Sequence, residues 1–397
     1  MMKIKAEHEL LLCLCKPECT DSAIEEARRH ITFIDNWNRF AWLANEHGIS
    51  ALVYYNMKKT GLAELMPDKE NYILHSTYLK SLSRNTVLWE KFNALKKELR
   101  EINITPVPIK GMALERSVYG NKGLRQMNDV DILIERDRCM EAWEYLLTRD
   151  YDHHLIKSPR YRKMLPWIGK HLPELYKDGI SFEIHHSLFD NVTVDEPSPM
   201  QHFLFLVKHL DYHETIQGES QLRLYNDLVM MIHHYGSKIL NDELFAMADA
   251  YGIEKELNRK LSLIQNFYKI PTDPSLTSLV QVSDLRQSSH SKHQRRISGS
   301  TTSGSDPSLT LRMTDAGRRF LSFLANPKHN KPAYTKRKIY RMKIKAIRGS
   351  RRKYNFVMGD IFPSAEFMKR RYGLKNRFAI LLFYIHRMGK ILWLIPV

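Results

Sequence analysis

Apolar residues recur at three- and four-residue spacing through residues 6–102, most regularly from Tyr72 to Leu99, where Leu74, Tyr78, Leu82, Leu88, Phe92, Leu95 and Leu99 mark one stripe. That period predicts helices with one face turned to a core. Pro106 and Pro108 break the pattern, which becomes short apolar runs at Val107–Lys110, Asp129–Glu135 and Ile180–His185. These runs predict three strands, with helices over Met112–Tyr119 and Arg138–Leu147 between them and turn chemistry at Tyr176-Lys177-Asp178-Gly179. After Pro199 the helical period returns, best over Met200–Tyr212 and Leu222–Ile239. The order predicts an α+β fold: a small mixed sheet with helices, flanked by N-terminal and C-terminal helical regions.

The expected divisions are a helical region over 1–102, a strand-bearing core over 103–198, a helical region over 199–271 packing on that core, a Ser/Thr-rich flexible linker over 272–312 and a basic helical tail over 313–397. Charge separates the last of these from the rest. Of the +17 net charge, residues 318–397 carry +19, from 21 Lys and Arg against Asp360 and Glu366, so the remainder is close to neutral. Hydrophobic residues at 43% and charged residues at 26% are ordinary for a globular chain. The start Met1-Met2-Lys3-Ile4-Lys5 does not read as a signal peptide, and no run of 18 apolar residues occurs, so a cytoplasmic protein without a transmembrane helix is expected. Four cysteines are too few for a disulfide framework. Cys13, Cys15 and Cys19 read as reduced, small residues on a helix, because no second Cys or His pair stands at zinc-finger spacing.

Chemistry concentrates between residues 109 and 185. In Asp129-Val130-Asp131-Ile132-Leu133-Ile134, strand alternation puts Asp129 and Asp131 on one face and Val130, Ile132 and Ile134 on the core face. Two neighbouring carboxylates repel, and a divalent cation is the usual means of keeping both ionised. A lone Asp-x-Asp equally marks a solvated strand end. In Ser181-Phe182-Glu183-Ile184-His185, however, the same alternation presents Glu183 as a third acid. Three hard oxygen donors without paired Cys favour Mg²⁺ or Mn²⁺ and suit phosphoryl displacement. Lys110-Gly111, where a strand passes into a helix, offers an ammonium and backbone N–H groups to a phosphate. Arg125, four residues ahead of the aspartates, is placed for the same task, though either cation alone reads equally as a surface charge. His185 shares the face of Glu183 and is a candidate metal or acceptor contact.

The order Lys-Gly, then Leu124-Arg125-Gln126-Met127-Asn128-Asp129-Val130-Asp131-Ile132-Leu133-Ile134, then Phe182-Glu183-Ile184-His185-His186-Ser187-Leu188 resembles the bacterial uncharacterised nucleotidyltransferases of the DNA polymerase beta-like superfamily. The resemblance covers about residues 6–250, is densest over 107–190, and resumes in Asp360-Ile361-Phe362-Pro363-Ser364. It implies a nucleotidyltransferase core over 103–198, metal held by Asp129, Asp131 and Glu183, and a triphosphate met by Lys110, Gly111 and Arg125. It also implies an acid at Asp227, placed to cap or brace the site; read from the residues alone, Asp227 equally pairs with Arg223 one turn earlier. One departure stands out: where the superfamily opens with a Gly-Ser or Gly-Gly turn, this chain has Lys110-Gly111-Met112, and the gap to Asp129 is longer.

The expected function is transfer of an NMP group from an NTP to an acceptor hydroxyl, with release of pyrophosphate. Small molecules, saccharides, protein side chains and RNA ends all remain open as acceptors. The alternative is a non-catalytic binding module using its basic C-terminal tail at an anionic membrane or nucleic acid. Phe378–Ile385, flanked by Lys375, Arg377, Arg387 and Lys390, suits an anionic membrane surface, and no DNA-reading motif accompanies the charge. The same tail also reads as a helical cap packed on the core.

Overall fold

A computed structural model of the chain describes residues 4–189, 196–268, 315–328, 332, 334–374 and 377–394. The expected linker, 272–312, lies outside the described residues, as does Lys375. The chain divides into two compact units, one of residues 1–80, 123–125 and 199–331 and the other of 81–122, 126–198 and 332–397.

The first unit is helical: α1 (Ala6–Leu14), α2 (Asp21–Ile31), α3 (Trp37–Glu46), α4 (Ser50–Lys59) and the first part of α5 (Asp68–Arg100). Side-chain caps set the starts of α2 and α3, where Thr20 accepts from the Ala23 N–H and Asn36 from the Arg39 N–H. Cys13 and Cys15 are buried here, and burial pushes the Cys15 thiol up to about 12. The second helical stretch of the sequence joins the same unit and is taken up with the C-terminal helices below.

The second unit carries the sheet. After the second part of α5 come β1 (Val107–Pro108), α6 (Lys110–Leu114), β2 (Asp129–Leu133), α7 (Arg136–Leu147), β3 (Asp152–His153), α8 (Pro159–Arg162), β4 (Leu175–Lys177) and β5 (Ile180–His185). The strand order is β1-β2-β5-β4-β3, with β2 and β5 parallel and the other pairs antiparallel. The sheet is mixed, as the α+β expectation requires. Val130, Ile132, Ile134, Phe182 and Ile184 form a core with Leu88, Phe92, Leu95 and Leu99 of α5 and with Trp143 of α7. The second half of the stripe read from the sequence, Leu88 to Leu99, is therefore the surface on which the sheet rests.

The first expected strand is shorter than Val107–Lys110. Ile109 still donates to the Asp131 carbonyl at 3.1 Å, but Lys110 turns into the left-handed region at φ 48° and begins α6. Strands β3 and β4 have two and three residues, too few for a two-residue period to show in the sequence. Asp178 and Gly179, at φ 51° and 72°, join β4 to β5 as a two-residue hairpin turn.

Residues 199–268 form α9 (Pro199–Tyr212), α10 (Leu222–Tyr235), α11 (Asp242–Ala250) and α12 (Glu254–Tyr268), and α13 (Asp315–Ala325) packs on α12 within the first unit. The tail continues in the second unit as α14 (Lys336–Ala346), α15 (Ser350–Ile361), α16 (Ala365–Tyr372) and α17 (Arg377–Leu394). Helix α15 packs on α8, and α17 packs on α14 and α15. Their shared core contains Met164, Tyr340, Ile347, Phe356, Ile361, Ile391 and Leu394. The segment Asp360–Ser364 anchors this packing. Asp360 pairs with Lys157, its carbonyl accepts from Arg387, and the Pro363 carbonyl accepts from the Tyr384 hydroxyl at 2.6 Å.

Candidate active site

Register brings the acids together. In the parallel β2–β5 ladder Asp131 lies opposite Glu183, Asp129 opposite Ser181 and Leu133 opposite His185. Because partners in a ladder project to the same side, Asp131 and Glu183 stand side by side on the face away from Val130, Ile132, Phe182 and Ile184. His185, two residues beyond Glu183, closes the group: its Nε2 lies 2.9 Å from Asp131 Oδ1 and 3.2 Å from Glu183 Oε2. One donor atom from each of Asp131, Glu183 and His185 lies within 4.8 Å of the other two, the spacing expected around a single ion.

Lys110 enters this group from the β1–α6 turn. Its Nζ is 2.7 Å from Asp131 Oδ1 and 3.2 Å from Glu183 Oε2. The left-handed backbone at Lys110 costs a non-glycine residue about 1 kcal/mol and is of the kind found where side-chain placement matters. Gly111 follows, buried in the first turn of α6. Burial draws the Lys110 ammonium down, but the charges of Asp131 and Glu183 outweigh it and hold it above its ordinary value. Burial likewise raises the Glu183 carboxyl, and the His185 hydrogen bond and the Lys110 charge outweigh that in turn, holding it well below the usual carboxylate range. The cluster is thus a cation-seeking site in which an ammonium meets two carboxyl groups.

Asp129 stands one pleat before Asp131 on the same face. Its charge acts on Lys110, but it is not part of the three-donor group, which joins His185 to Asp131 and Glu183 where the sequence pattern suggested Asp129. Arg125 lies in the first unit, where Nε and Nη2 hold Asp227 at 2.8 and 2.7 Å, so Asp227 is gripped by Arg125 in a two-pronged pair. Asp227 is fully buried and Arg125 is 7% exposed.

His171 is a neighbour that no spacing in the sequence marks. It pairs with His185 as an isolated bridge, and the two rings are 5.3 Å apart. Burial lowers its pKa, with the charge of Glu183 pulling the other way. His186, next along the chain, is pushed down to about 4, chiefly by burial. Among the described residues a second three-donor group, Cys13, Glu26 and His30, occurs in the first unit.

The donor set fits a divalent cation: the carboxylates of Asp131 and Glu183, with Asp129 adjacent, are oxygen ligands suited to Mg²⁺ or Mn²⁺, and the His185 imidazole is one that Mn²⁺ takes more readily than Mg²⁺. No curated protein and no solved structure matches the chain. A family model does, over residues 35–269, and that span takes in β1, β2, β5, Lys110 and every acid of the site. The chain belongs to the family described as uncharacterised nucleotidyltransferases.

Proposed function

We propose that the protein transfers an NMP group from an NTP to an acceptor hydroxyl. The observation that carries this reading is the meeting of Asp131, Glu183 and His185 on adjacent strand positions with the Lys110 ammonium among them. In the reaction the acceptor oxygen bonds to the α-phosphorus as the bond from that phosphorus to the α–β bridging oxygen breaks. Pyrophosphate carries off the electron pair and the acceptor's proton passes to solvent.

Asp131 and Glu183, with Asp129 beside them and His185 as a nitrogen donor, would hold Mg²⁺ or Mn²⁺. When bound, the cation supplies charge for the triphosphate and polarises the acceptor oxygen. Glu183, kept ionised by its neighbours, contributes charge rather than a proton-accepting base. Lys110 shares oxygens with the proposed metal position. Its ammonium is therefore assigned to the triphosphate, with the N–H groups of the turn at Gly111 beside it. Arg125 is assigned to phosphate on the sequence order alone. A cytoplasmic location, where NTP and Mg²⁺ are at hand, goes with this reading, and the acceptor is drawn from small molecules, saccharides, proteins and RNA ends.

The test is to incubate the protein with each labelled NTP, Mg²⁺ or Mn²⁺ and fractionated cell extract, alongside Asp131→Ala. A labelled fraction that forms with the wild type and not with the variant supports the reading. Equal labelling by both removes Asp131 from the chemistry.

A second reading has one observation in its favour: Lys110 already forms ion pairs with both Asp131 and Glu183. In a binding module with a disused site that ion pair would be permanent. Titration with Mn²⁺ separates the readings, since only the enzyme takes up the ion at this site, and takes it up less well in Asp131→Ala.

A further inference from the structure

Helix α17 is apolar on two opposite sides. At 100° per residue, Ile380, Ile391 and Leu394 fall together and are buried against α14 and α15. Arg387 and Tyr384, bonded to the Asp360 and Pro363 carbonyls, fasten that side. The other side is also apolar and largely open: Leu381, Leu382, Ile385 and Trp393 are 56, 57, 59 and 64% exposed, with the Arg337 guanidinium 5.7 Å from the Trp393 ring centre. A helix whose only task was to cap the unit would present polar residues there.

Charge indicates what covers this face. Helix α16, packed beside α17, ends in Lys369, Arg370 and Arg371, all exposed, and Lys390 is exposed on α17 itself. Against these cations the only acids from Arg318 onward are Asp360, buried and paired with Lys157, and Glu366, paired with Arg370. An apolar stripe that ends in a tryptophan under the Arg337 guanidinium, on helices this rich in cations, matches the boundary between anionic headgroups and acyl chains. No described helix is long and apolar enough to cross a membrane, so contact is from one side only.

We infer that α16 and α17 form a docking surface for an anionic lipid bilayer. Leu381, Leu382 and Ile385 enter the acyl boundary while Lys369, Arg370 and Arg371 meet the headgroups. The inner side of α17 stays on α14 and α15, so docking requires no unfolding of the cap. This surface is independent of the chemistry proposed for Asp131 and Glu183.

The experiment is flotation of the full chain with phosphatidylcholine vesicles, with and without about 30% phosphatidylserine. Leu382→Asp/Ile385→Asp removes the apolar contact at exposed positions; Phe383 is unsuitable because its ring packs on Tyr372 at 4.9 Å. Lys369→Gln/Arg370→Gln/Arg371→Gln removes the charge, and circular dichroism checks that both variants fold. The wild type is expected to float only with the anionic vesicles and to retain part of its binding at high salt. The aspartate variant should lose at least about ten-fold and the glutamine variant about five-fold per cation removed. Three results overturn the inference. One is a wild type indifferent to anionic vesicles, including a chain that instead binds RNA with a steep salt slope. Another is binding unchanged in Leu382→Asp/Ile385→Asp. The third is a dimer, dissociated by that same variant, that does not float.

Discussion

Replacing Lys110 with methionine removes the ammonium that stands between Asp131 and Glu183 while nearly preserving side-chain volume. Lys110, Asp131 and Glu183 have side chains only 11, 7 and 15% exposed, so water screens little of the interaction. Removing one partner of a buried pair costs about 3–5 kcal/mol. The lower end applies here, because the two acids can share a proton once the ammonium is gone. A loss of about 3 kcal/mol lowers the melting temperature of a unit this size by roughly 6–12 °C. Methionine leaves the left-handed backbone unchanged; Lys110→Gly relieves it by about 1 kcal/mol but empties a buried side-chain volume at a cost of about 2 kcal/mol or more, so the glycine variant should be no more stable than the methionine variant. A divalent cation should then replace the lost charge: at a hundred times its dissociation constant it returns about 2.7 kcal/mol. The wild type gains less, because the ammonium must first yield its oxygens. Thermal unfolding in EDTA and in Mg²⁺ checks all three statements. If Lys110→Met melts within about 2 °C of the wild type in EDTA, or if Mg²⁺ stabilises the wild type more than the variant, the electrostatic account of the cluster is wrong.

Glu183→Gln keeps the shape but not the charge, so NTP binding should persist while turnover falls about a hundred-fold or more; lost binding with intact turnover per bound nucleotide reverses the roles of Glu183 and Lys110. His47 is buried with Nε2 2.9 Å from the Leu324 carbonyl and Nδ1 accepting from the Leu222 N–H at 3.2 Å, an arrangement that requires the neutral ring. Burial, against the pull of the Leu324 bond, lowers its pKa to about 4. The unfolded chain therefore takes up the proton first as pH falls, and stability should drop by about 3 kcal/mol between pH 6.5 and 4. His47→Gln, measured by urea unfolding across that range, should flatten the slope. Asp227→Asn leaves Arg125 facing a neutral amide and should cost about 3–5 kcal/mol, with Arg125→Leu/Asp227→Leu less damaging than either single change; strict additivity of the two single variants would remove the pair as a unit.

Much of the site was legible because strand alternation is a strong local signal. Val130, Ile132, Phe182 and Ile184 alternate with Asp131, Glu183 and His185, and the same alternation separates core from site in the structure. Register was not legible. Nothing in the sequence says that Asp131 rather than Asp129 lies opposite Glu183, and that one-step choice brings His185 into the three-donor group and leaves Asp129 beside it. His171 was hidden because its segment has no period and reaches His185 only through an isolated bridge. The conformation of Lys110 was hidden too, since a lysine gives no cue for positive φ. In the tail, the apolar run of α17 was visible, but its division into a buried and an exposed side needed α14 and α15 in place.

The central claim is that the group transferred is the nucleotidyl moiety, and the position of the label tests it most directly. The protein is given each NTP labelled at the α-phosphate or at the γ-phosphate, with Mg²⁺ or Mn²⁺ and the fraction that contains the acceptor. The account predicts that α-label enters the acceptor, that γ-label leaves as pyrophosphate, and that Asp131→Ala abolishes both. Acceptor labelled from the γ-phosphate, or α-label retained in a nucleoside diphosphate, would contradict it.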